Sequence, residues 1–127
     1  MTDVGTFRTE MKIESTERRG DIRVAGDALV DTGSEFTWVP RDLLESLGVR
    51  KEFVQSFRLA DGRRLERSVG IAIVHAARRI TPDWVVFAEP SDTVILGAHS
   101  LEGLNVRVDP RRKALVDAGP ITTGVAA

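Results

Sequence analysis

The 127-residue chain contains no cysteine, and this absence excludes several chemistries at once. Disulfide bonds, zinc–thiolate sites and thiol nucleophiles all require a cysteine side chain. The only two histidines, His75 and His99, stand apart in the sequence without clustered carboxylates, so we expect no metal site. No glycine-rich phosphate loop precedes a predicted helix, and we expect no cofactor.

Long apolar runs and an excess of one charge are also missing. The first 14 residues contain no apolar stretch that fits a signal peptide, and nothing approaches the roughly 20 apolar residues of a membrane span. With 18 basic and 19 acidic residues the net charge is -1, which gives no electrostatic reason to expect nucleic acid or a membrane as partner. We therefore expect a cytoplasmic protein.

Length and composition fit one globular domain. Hydrophobic residues make up 42% of the chain and charged residues 29%, values typical of soluble globular proteins. We expect a single domain over residues 1–127, because this length leaves little room for a second one. The tail, about 118–127, is small and weakly polar, so part of it is expected to be flexible.

The local patterns predict many short strands. Apolar and polar residues alternate from Phe7 to Glu14, which is the period of a half-buried strand. Asp61-Gly62 predicts a hairpin between two apolar-rich segments, and residues 110–112 predict another. Residues 40–49 are the clearest helix, whereas 98–104 have room for one or two helical turns. Short strands with one helix predict a compact all-β barrel or sandwich.

One segment, "ALVDTGSEFTWVP" (28–40), places Asp-Thr-Gly-Ser between two apolar strand segments. Such a tetrapeptide is often only a turn, because Asp and Ser side chains bond to nearby backbone N–H groups. The apolar flanks predict that this turn does not lie on a solvated surface. A glycine-tipped hairpin downstream and a second apolar segment ending in glycine, "TVILG" (93–97), favour a functional interpretation.

Together these segments resemble the retropepsin-like aspartic proteases, the single-domain clan AA family that includes the retroviral proteases. "ALVDTGS" resembles the active-site motif of the family, "LADGRRLE" its flap hairpin, and "VILGAHSLEGLNVRVDPRRKALV" its second apolar-apolar-Gly segment with the closing strands. The last segment is most similar to small free-standing bacterial members. The resemblance covers most of the chain and implies an all-β fold, a closed β-barrel with one short helix and a flap hairpin.

The resemblance also implies a role for ten residues. Asp31 is implied as the catalytic carboxylate, and the Ser34 hydroxyl is expected to donate to its outer oxygen. The other implied roles are loop support by Thr32, Gly33 and Ser34, flap and substrate binding by Ala60, Asp61 and Gly62, and packing beneath the loop by Ile95, Leu96 and Gly97.

The chemistry explains why the family uses paired carboxylates. Peptide hydrolysis without a metal needs an activated water and a protonated carbonyl oxygen, and two carboxylates that share one proton provide both. This chain has one such motif, so the resemblance implies a homodimer in which each copy contributes Asp31. We predict an aspartic endopeptidase that acts on a peptide or protein substrate. The alternative is a module of the same fold that binds peptides or dimerises without cutting.

Several other residues have two interpretations each. His99 is either a surface residue at the start of a helix or a contact to the catalytic loop from behind. Arg63 and Arg64 either favour acidic substrate residues or are ordinary exposed side chains of a hairpin. Trp38 and Trp84 are expected in the core or at a dimer contact. "GAHSLEG" is not the Gly-x-Ser-x-Gly elbow of serine hydrolases, which disfavours that class.

Overall fold

A computed structural model describes residues 6–125 of the chain. The predictions of an absent signal peptide and of a flexible tail extend into 1–5 and 126–127, which lie outside the described residues. Within this range the elements are nine strands and two helices. The strands are β1 (Arg8–Glu14), β2 (Ile22–Asp31), β3 (Thr37–Pro40), β4 (Phe53–Arg58), β5 (Arg64–Ala76), β6 (Arg79–Ala88), β7 (Ile95–Gly97), β8 (Val106–Asp109) and β9 (Ala114–Asp117), and the helices are α1 (Arg41–Ser46) and α2 (Ala98–Gly103).

Six strands close into a barrel. Their order is β1-β2-β7-β3-β6-β5, and β5 returns to pair with β1 where Ile13 lies opposite Val74. Among the described strands β4 pairs only with β5, so these two strands form a hairpin that extends from the barrel. Strands β8 and β9 form a separate antiparallel pair. Of the two all-β architectures that the sequence left open, the chain therefore adopts the barrel.

The barrel interior is aliphatic. In β1, Met11 and Ile13 are fully buried while Lys12 is exposed, which confirms the alternation predicted from the sequence. Burying one such side chain contributes about 1.5–3 kcal/mol. The largest fully buried side chains are Phe87, Met11, Ile13, Leu44, Leu47, Leu96 and Leu104.

A second apolar cluster lies between the β4–β5 hairpin and β3. Its buried members include Trp38, in agreement with the sequence prediction, and Val86. The ring of Phe57 on the hairpin lies 4.9 Å from that of Trp38 and 5.7 Å from that of Phe36, measured between centroids. The hairpin is thereby packed against the segment that follows Asp31.

Glycine permits two local features of the backbone, a bulge in β2 and the end of α1. Strand β2 continues to Asp31 through a bulge opposite Met11, where Gly26 has a φ of +118° that side-chain-bearing residues rarely adopt. Helix α1 begins after Pro40 and ends before Gly48, whose φ is +75°. The sequence predicted one short helix, and α2 is a second one over the segment with room for one or two turns.

No helix within residues 6–125 is long and apolar enough to cross a membrane.

Candidate active site

The segment 31–36, called here the Asp31 loop, connects two strands that are not neighbours. Strand β2 ends at Asp31 and β3 follows the loop, but β7 lies between them in the sheet. Asp31 pairs with Gly97 in the parallel register of β2 and β7, and Trp38 pairs with Ile95 across β3 and β7. The loop must therefore pass over the end of β7.

Backbone amides of the loop turn back toward Asp31. The N–H of Gly33 donates to Asp31 Oδ1 at 2.9 Å, and the N–H of Ser34 donates to the Asp31 carbonyl at 3.2 Å. A Cβ at position 33 would lie 3.2 Å from the same carboxylate oxygen, so glycine leaves room for this close approach. Within residues 6–125, the Asp31 side chain forms no bond with a second carboxyl group.

The Ser34 hydroxyl does not bond to Asp31, so that expectation was wrong. It donates to the Phe36 carbonyl at 2.9 Å instead. In a turn this tight the carbonyl two residues ahead lies within reach of the hydroxyl, and the local bond takes its only proton. Ser34 therefore supports the loop through its own backbone.

The loop lies at the surface of the single chain. Thr32 and Gly33 are exposed and Asp31 is half-buried, so the expectation of a turn away from solvent was also wrong for one chain. Strand β2 ends at Asp31, and among residues 6–125 no helix or strand covers Thr32 and Gly33 enough to remove them from solvent. Beside it lies a cavity of about 350 Å³, whose lining includes Thr32, Ala98, Leu101, Val106, Val108 and Ala118.

The corner between β7 and α2 supports the loop from beneath. The N–H of Ala98 donates to the Ser34 carbonyl at 2.7 Å, and the N–H of His99 donates to the Glu35 carbonyl at 3.1 Å. A Cβ at Gly97 would lie 2.3 Å from the Phe36 carbonyl oxygen, so only glycine fits there. The structure thus brings the Ile95-Leu96-Gly97 segment into contact with the Asp31 loop.

His99 combines both of the interpretations that the sequence left open. It is the second residue of α2, and its side chain is 58% exposed. Its backbone contacts the Asp31 loop, and its ring lies 6.3 Å from that of Phe36. No three His, Asp or Glu side chains within residues 6–125 gather in a group that holds a metal ion.

Sequence reasoning missed a chain of side-chain hydrogen bonds behind Gly97. The N–H of Gly97 donates to Thr37 Oγ1 at 3.1 Å, and Thr37 Oγ1 lies 2.5 Å from Ser100 Oγ. Ser100 Oγ donates to Asp83 Oδ2 at 2.7 Å. Thr37 and Ser100 are fully buried. These residues are far apart in sequence, so only a prediction of the strand pairing would have brought them together.

The tip of the β4–β5 hairpin carries the three residues that the sequence predicted as a flap. Ala60, Asp61 and Gly62 are exposed, and Gly62 has a φ of +89°. The Asp61 carboxylate accepts the backbone N–H of Arg63 at 3.0 Å and its Nε at 2.7 Å. These bonds, the backbone one first, lower the pKa of Asp61. The Arg63 guanidinium is therefore paired with a carboxylate of the same hairpin.

A cavity of about 350 Å³ lies between this hairpin and the barrel. Ile95, in its wall, is two residues before Gly97, which is about 7 Å along a strand. The cavity therefore lies beside the Asp31 loop. Its lining residues are Trp38, Leu59, Arg63, Leu65, Arg67, Ser91, Asp92, Thr93 and Ile95.

Arg67 and Asp92, which line one wall of this cavity, form a nearly buried ion pair. Hydrogen bonds from Arg67 lower the pKa of Asp92, and the same bonds raise the pKa of Arg67. The pair therefore stays charged over a wide pH range.

Comparisons with known proteins identify the fold. No protein-family model and no curated protein matches the sequence. Among solved structures 109 chains match, and one of them is the solution structure of the protease of Simian Foamy Virus (mac). That structure has a TM-score of 0.52 and 20% sequence identity, with 76% of this chain and 92% of that chain covered. The chain therefore has an all-β, retropepsin-like closed barrel.

Proposed function

We propose that the chain is an aspartic endopeptidase that hydrolyses peptide bonds in a homodimer. The observation that carries the proposal is the geometry of Asp31. It ends a barrel strand beside Gly97, one carboxylate oxygen accepts the Gly33 N–H, and the loop around it lies open at the surface. The likeness in fold to a viral protease supports the same reaction class.

The chemistry requires a second carboxylate, which a second copy of the chain would supply. Two Asp31 side chains about 3 Å apart cannot both ionise, so they share one proton and titrate as a pair. The ionised group takes a proton from water while the water oxygen bonds to the peptide carbonyl carbon. The protonated group gives its proton to the carbonyl oxygen. The resulting diol collapses when one of its hydroxyls returns a proton to the ionised carboxylate, the C–N bond breaks, and the amine leaves with the proton that was taken from water.

The exposed loop supports the homodimer. A single chain leaves Thr32 and Gly33 in solvent beside the partly apolar cavity lined by Leu101 and Val106. A partner chain docked on this face would cover that apolar surface and bring its own Asp31 close to the first one. In this arrangement Thr32, Gly33 and Ser34 support the loop and meet the partner at the two-fold axis.

The substrate is a peptide or protein segment that binds between the β4–β5 hairpin and the barrel. The cavity there has an apolar floor of Trp38 and Ile95 and an apolar roof of Leu59 and Leu65. The hairpin tip at Ala60-Asp61-Gly62 would close over the extended segment, form main-chain hydrogen bonds with it and exclude water.

Mixing two variants of the chain tests this proposal. Inactive Asp31→Asn protein is added in equal amount to a fixed amount of wild type, and subunits exchange before the assay with a diverse peptide library. In the shared-site enzyme, activity per wild-type subunit falls to about half, because half of the wild-type subunits now pair with an inactive partner. The control addition is a chemically cross-linked Asp31→Asn dimer, which cannot exchange subunits and should leave activity per wild-type subunit unchanged.

Two outcomes contradict parts of the proposal. Unchanged activity per wild-type subunit would show that one chain carries a complete site. Peptides that bind to the wild type but remain uncleaved at both acidic and neutral pH would favour the alternative, a binding module of the same fold.

A further inference from the structure

The backbone of Gly97 sets the position of the Asp31 loop. Gly97 pairs with Asp31, and the carbonyl of Phe36 leaves no room for a Cβ on Gly97. The next two amides along the chain hold the carbonyls of Ser34 and Glu35. Any shift of Gly97 is therefore transmitted to both sides of the loop.

The hydrogen bonds behind Gly97 can run in one direction only. The carboxylate form of Asp83 has no proton to give, so Ser100 donates its single proton to Asp83 Oδ2. Thr37 must then donate to Ser100, and its oxygen is left to accept the N–H of Gly97. The chain of donors leads from Gly97 through two buried hydroxyls to one negative charge.

Asp83 is held firmly itself. It lies on β6, which pairs with β5 along eight residues, from Ala76–Arg79 to Val69–Val86. Its Oδ1 accepts the N–H of Trp84 at 2.7 Å, and its side chain is only 9% exposed. Hydrogen bonds to a charged acceptor are about twice as strong as neutral ones, and a chain of them is cooperative.

We infer that Asp83, acting through Ser100 and Thr37, is a positioning residue for the Asp31 loop. The inference rests on the proposed function, because two Asp31 carboxylates must meet at hydrogen-bonding distance. Asp83 fixes the Gly97 amide, and Gly97 fixes the height of the loop above the barrel. A misplacement of reacting groups by about 1 Å can reduce a rate by about a hundredfold.

Three variants test the series of hydrogen bonds between Gly97 and Asp83. Ser100→Ala removes the middle hydroxyl, and we expect kcat to fall about tenfold or more while KM stays within about twofold. Thr37→Ser keeps every hydroxyl of the chain and should stay within about threefold of the wild-type kcat. The matched control is Ser15→Ala, because Ser15 is a buried serine whose hydroxyl holds the N–H of Glu17 far from the loop.

A double-mutant cycle separates positioning from stability. Asp83 accepts two donors with two oxygens, whereas Asn has one acceptor oxygen, so Asp83→Asn must release Ser100 or Trp84. We expect this change to lower kcat in the wild-type background and to have little further effect in the Ser100→Ala background. A merely structural role of Asp83 would lower stability in both backgrounds and leave kcat of the folded enzyme unchanged.

Amide hydrogen exchange supplies a readout that does not depend on activity. Exchange at Gly97 and Gly33 should rise at least about threefold in Ser100→Ala and stay unchanged in Ser15→Ala. If the wild type cleaves nothing but exchange rises as stated, the proposed function fails and the anchoring by Asp83 stands. Unchanged exchange, full kcat in Ser100→Ala, or equal losses in Thr37→Ser and Ser100→Ala would each overturn the inference.

Discussion

Arg67 holds Asp92 through two hydrogen bonds, Nε to Oδ2 at 2.7 Å and Nη2 to Oδ1 at 3.0 Å. The pair connects the hairpin strand β5 to the segment before β7, and Asp92 also accepts the N–H of Glu89 at 2.8 Å. Both side chains are largely buried. The hairpin is therefore attached to the barrel by a charged contact as well as by the rings of Phe36, Trp38 and Phe57.

Removing this pair should loosen the hairpin. Asp92→Asn is expected to lower the free energy of unfolding by about 2 kcal/mol, because it weakens charge-assisted bonds at a site with little solvent. The measurement is urea unfolding at pH 7. Glu89→Gln is the control, since its pair with Arg41 is exposed to solvent and should contribute much less than the Arg67–Asp92 pair. Equal losses in both variants would contradict a special role for the Arg67–Asp92 pair.

Asp31→Asn should abolish hydrolysis and preserve the fold. Asn has nearly the same shape but cannot hold the shared proton, so kcat is expected to fall at least about a thousandfold. The loss of carboxylate repulsion should leave the dimer slightly more stable. Activity is compared with that of Asp42→Asn, a change in the exposed first turn of α1. Near-wild-type cleavage by Asp31→Asn would exclude an aspartic mechanism.

Activity per chain should fall on dilution, because each site needs two copies of Asp31. The fall is expected at the same concentration at which light scattering shows dimers separating. A tandem chain with a flexible linker is the control, because the linker keeps the second Asp31 at high local concentration. A demonstrated monomer with constant specific activity would refute the shared site.

Gly62→Val should slow catalysis more than it unfolds the protein. A β-branched residue resists the φ of +89° at Gly62, so the hairpin tip would change shape at a cost of about 1–2 kcal/mol. Gly20→Val is the matched control, because Gly20 has a φ of +98° and open space around it in another turn. The tip is important for catalysis if kcat/KM falls only in Gly62→Val while both variants lose similar stability. An equal fall of kcat/KM in both variants would argue against a flap at Ala60-Asp61-Gly62.

Protonation of Glu14 should lower the stability of the protein in acid. Its buried carboxylate accepts hydrogen bonds from the N–H of Gly20, from His75 and from Arg19, and these lower its pKa from 4.5 to about 2. A lowered pKa in the folded chain means that the stabilisation is complete above pH 4.5 and is lost as pH falls toward 2. Glu14→Gln should therefore reduce Tm at pH 6 and converge with wild type near the acid end.

The control for this pH dependence lies on the same strand. Glu10 is exposed and has only a loose pair with Lys12, at 3.7 Å. Thermal unfolding of Glu10→Gln should parallel wild type between pH 6 and 2. If the difference between wild type and Glu14→Gln is constant over that range, the carboxylate of Glu14 is not the group that titrates.

Local patterns were sufficient for most of the fold. The Asp61-Gly62 turn and the turn at 110–112 are encoded by residues that favour tight turns, and both hairpins are present. The alternation before Glu14 also predicted β1 correctly, yet Glu14 itself is buried on the polar face. The turn after β1 folds back over Glu14, and the alternation within one strand does not predict that a following turn covers its polar face.

The details of the candidate site depended on tertiary contacts. Asp31 and Gly97 could be assigned from motifs, but the partners of Thr37, Ser100 and Asp83 are set by the order of the strands. The Ser34 hydroxyl donates to the Phe36 carbonyl, a bond that depends on how the loop turns after Ser34. The exposure of Thr32 and Gly33 depends on how the other strands pack around the loop, which the local sequence does not encode.

The passage of the Asp31 loop over β7 has a consequence for the order of events during synthesis. Thr37 and Gly97 are 60 residues apart, so the loop lacks the support of the β7–α2 corner until β7 has left the ribosome. A nascent or truncated chain that ends before β7 carries Asp31 but cannot hold it in place. The proposed protease would thus remain inactive during its own synthesis. It would not cleave neighbouring nascent proteins until its barrel has closed.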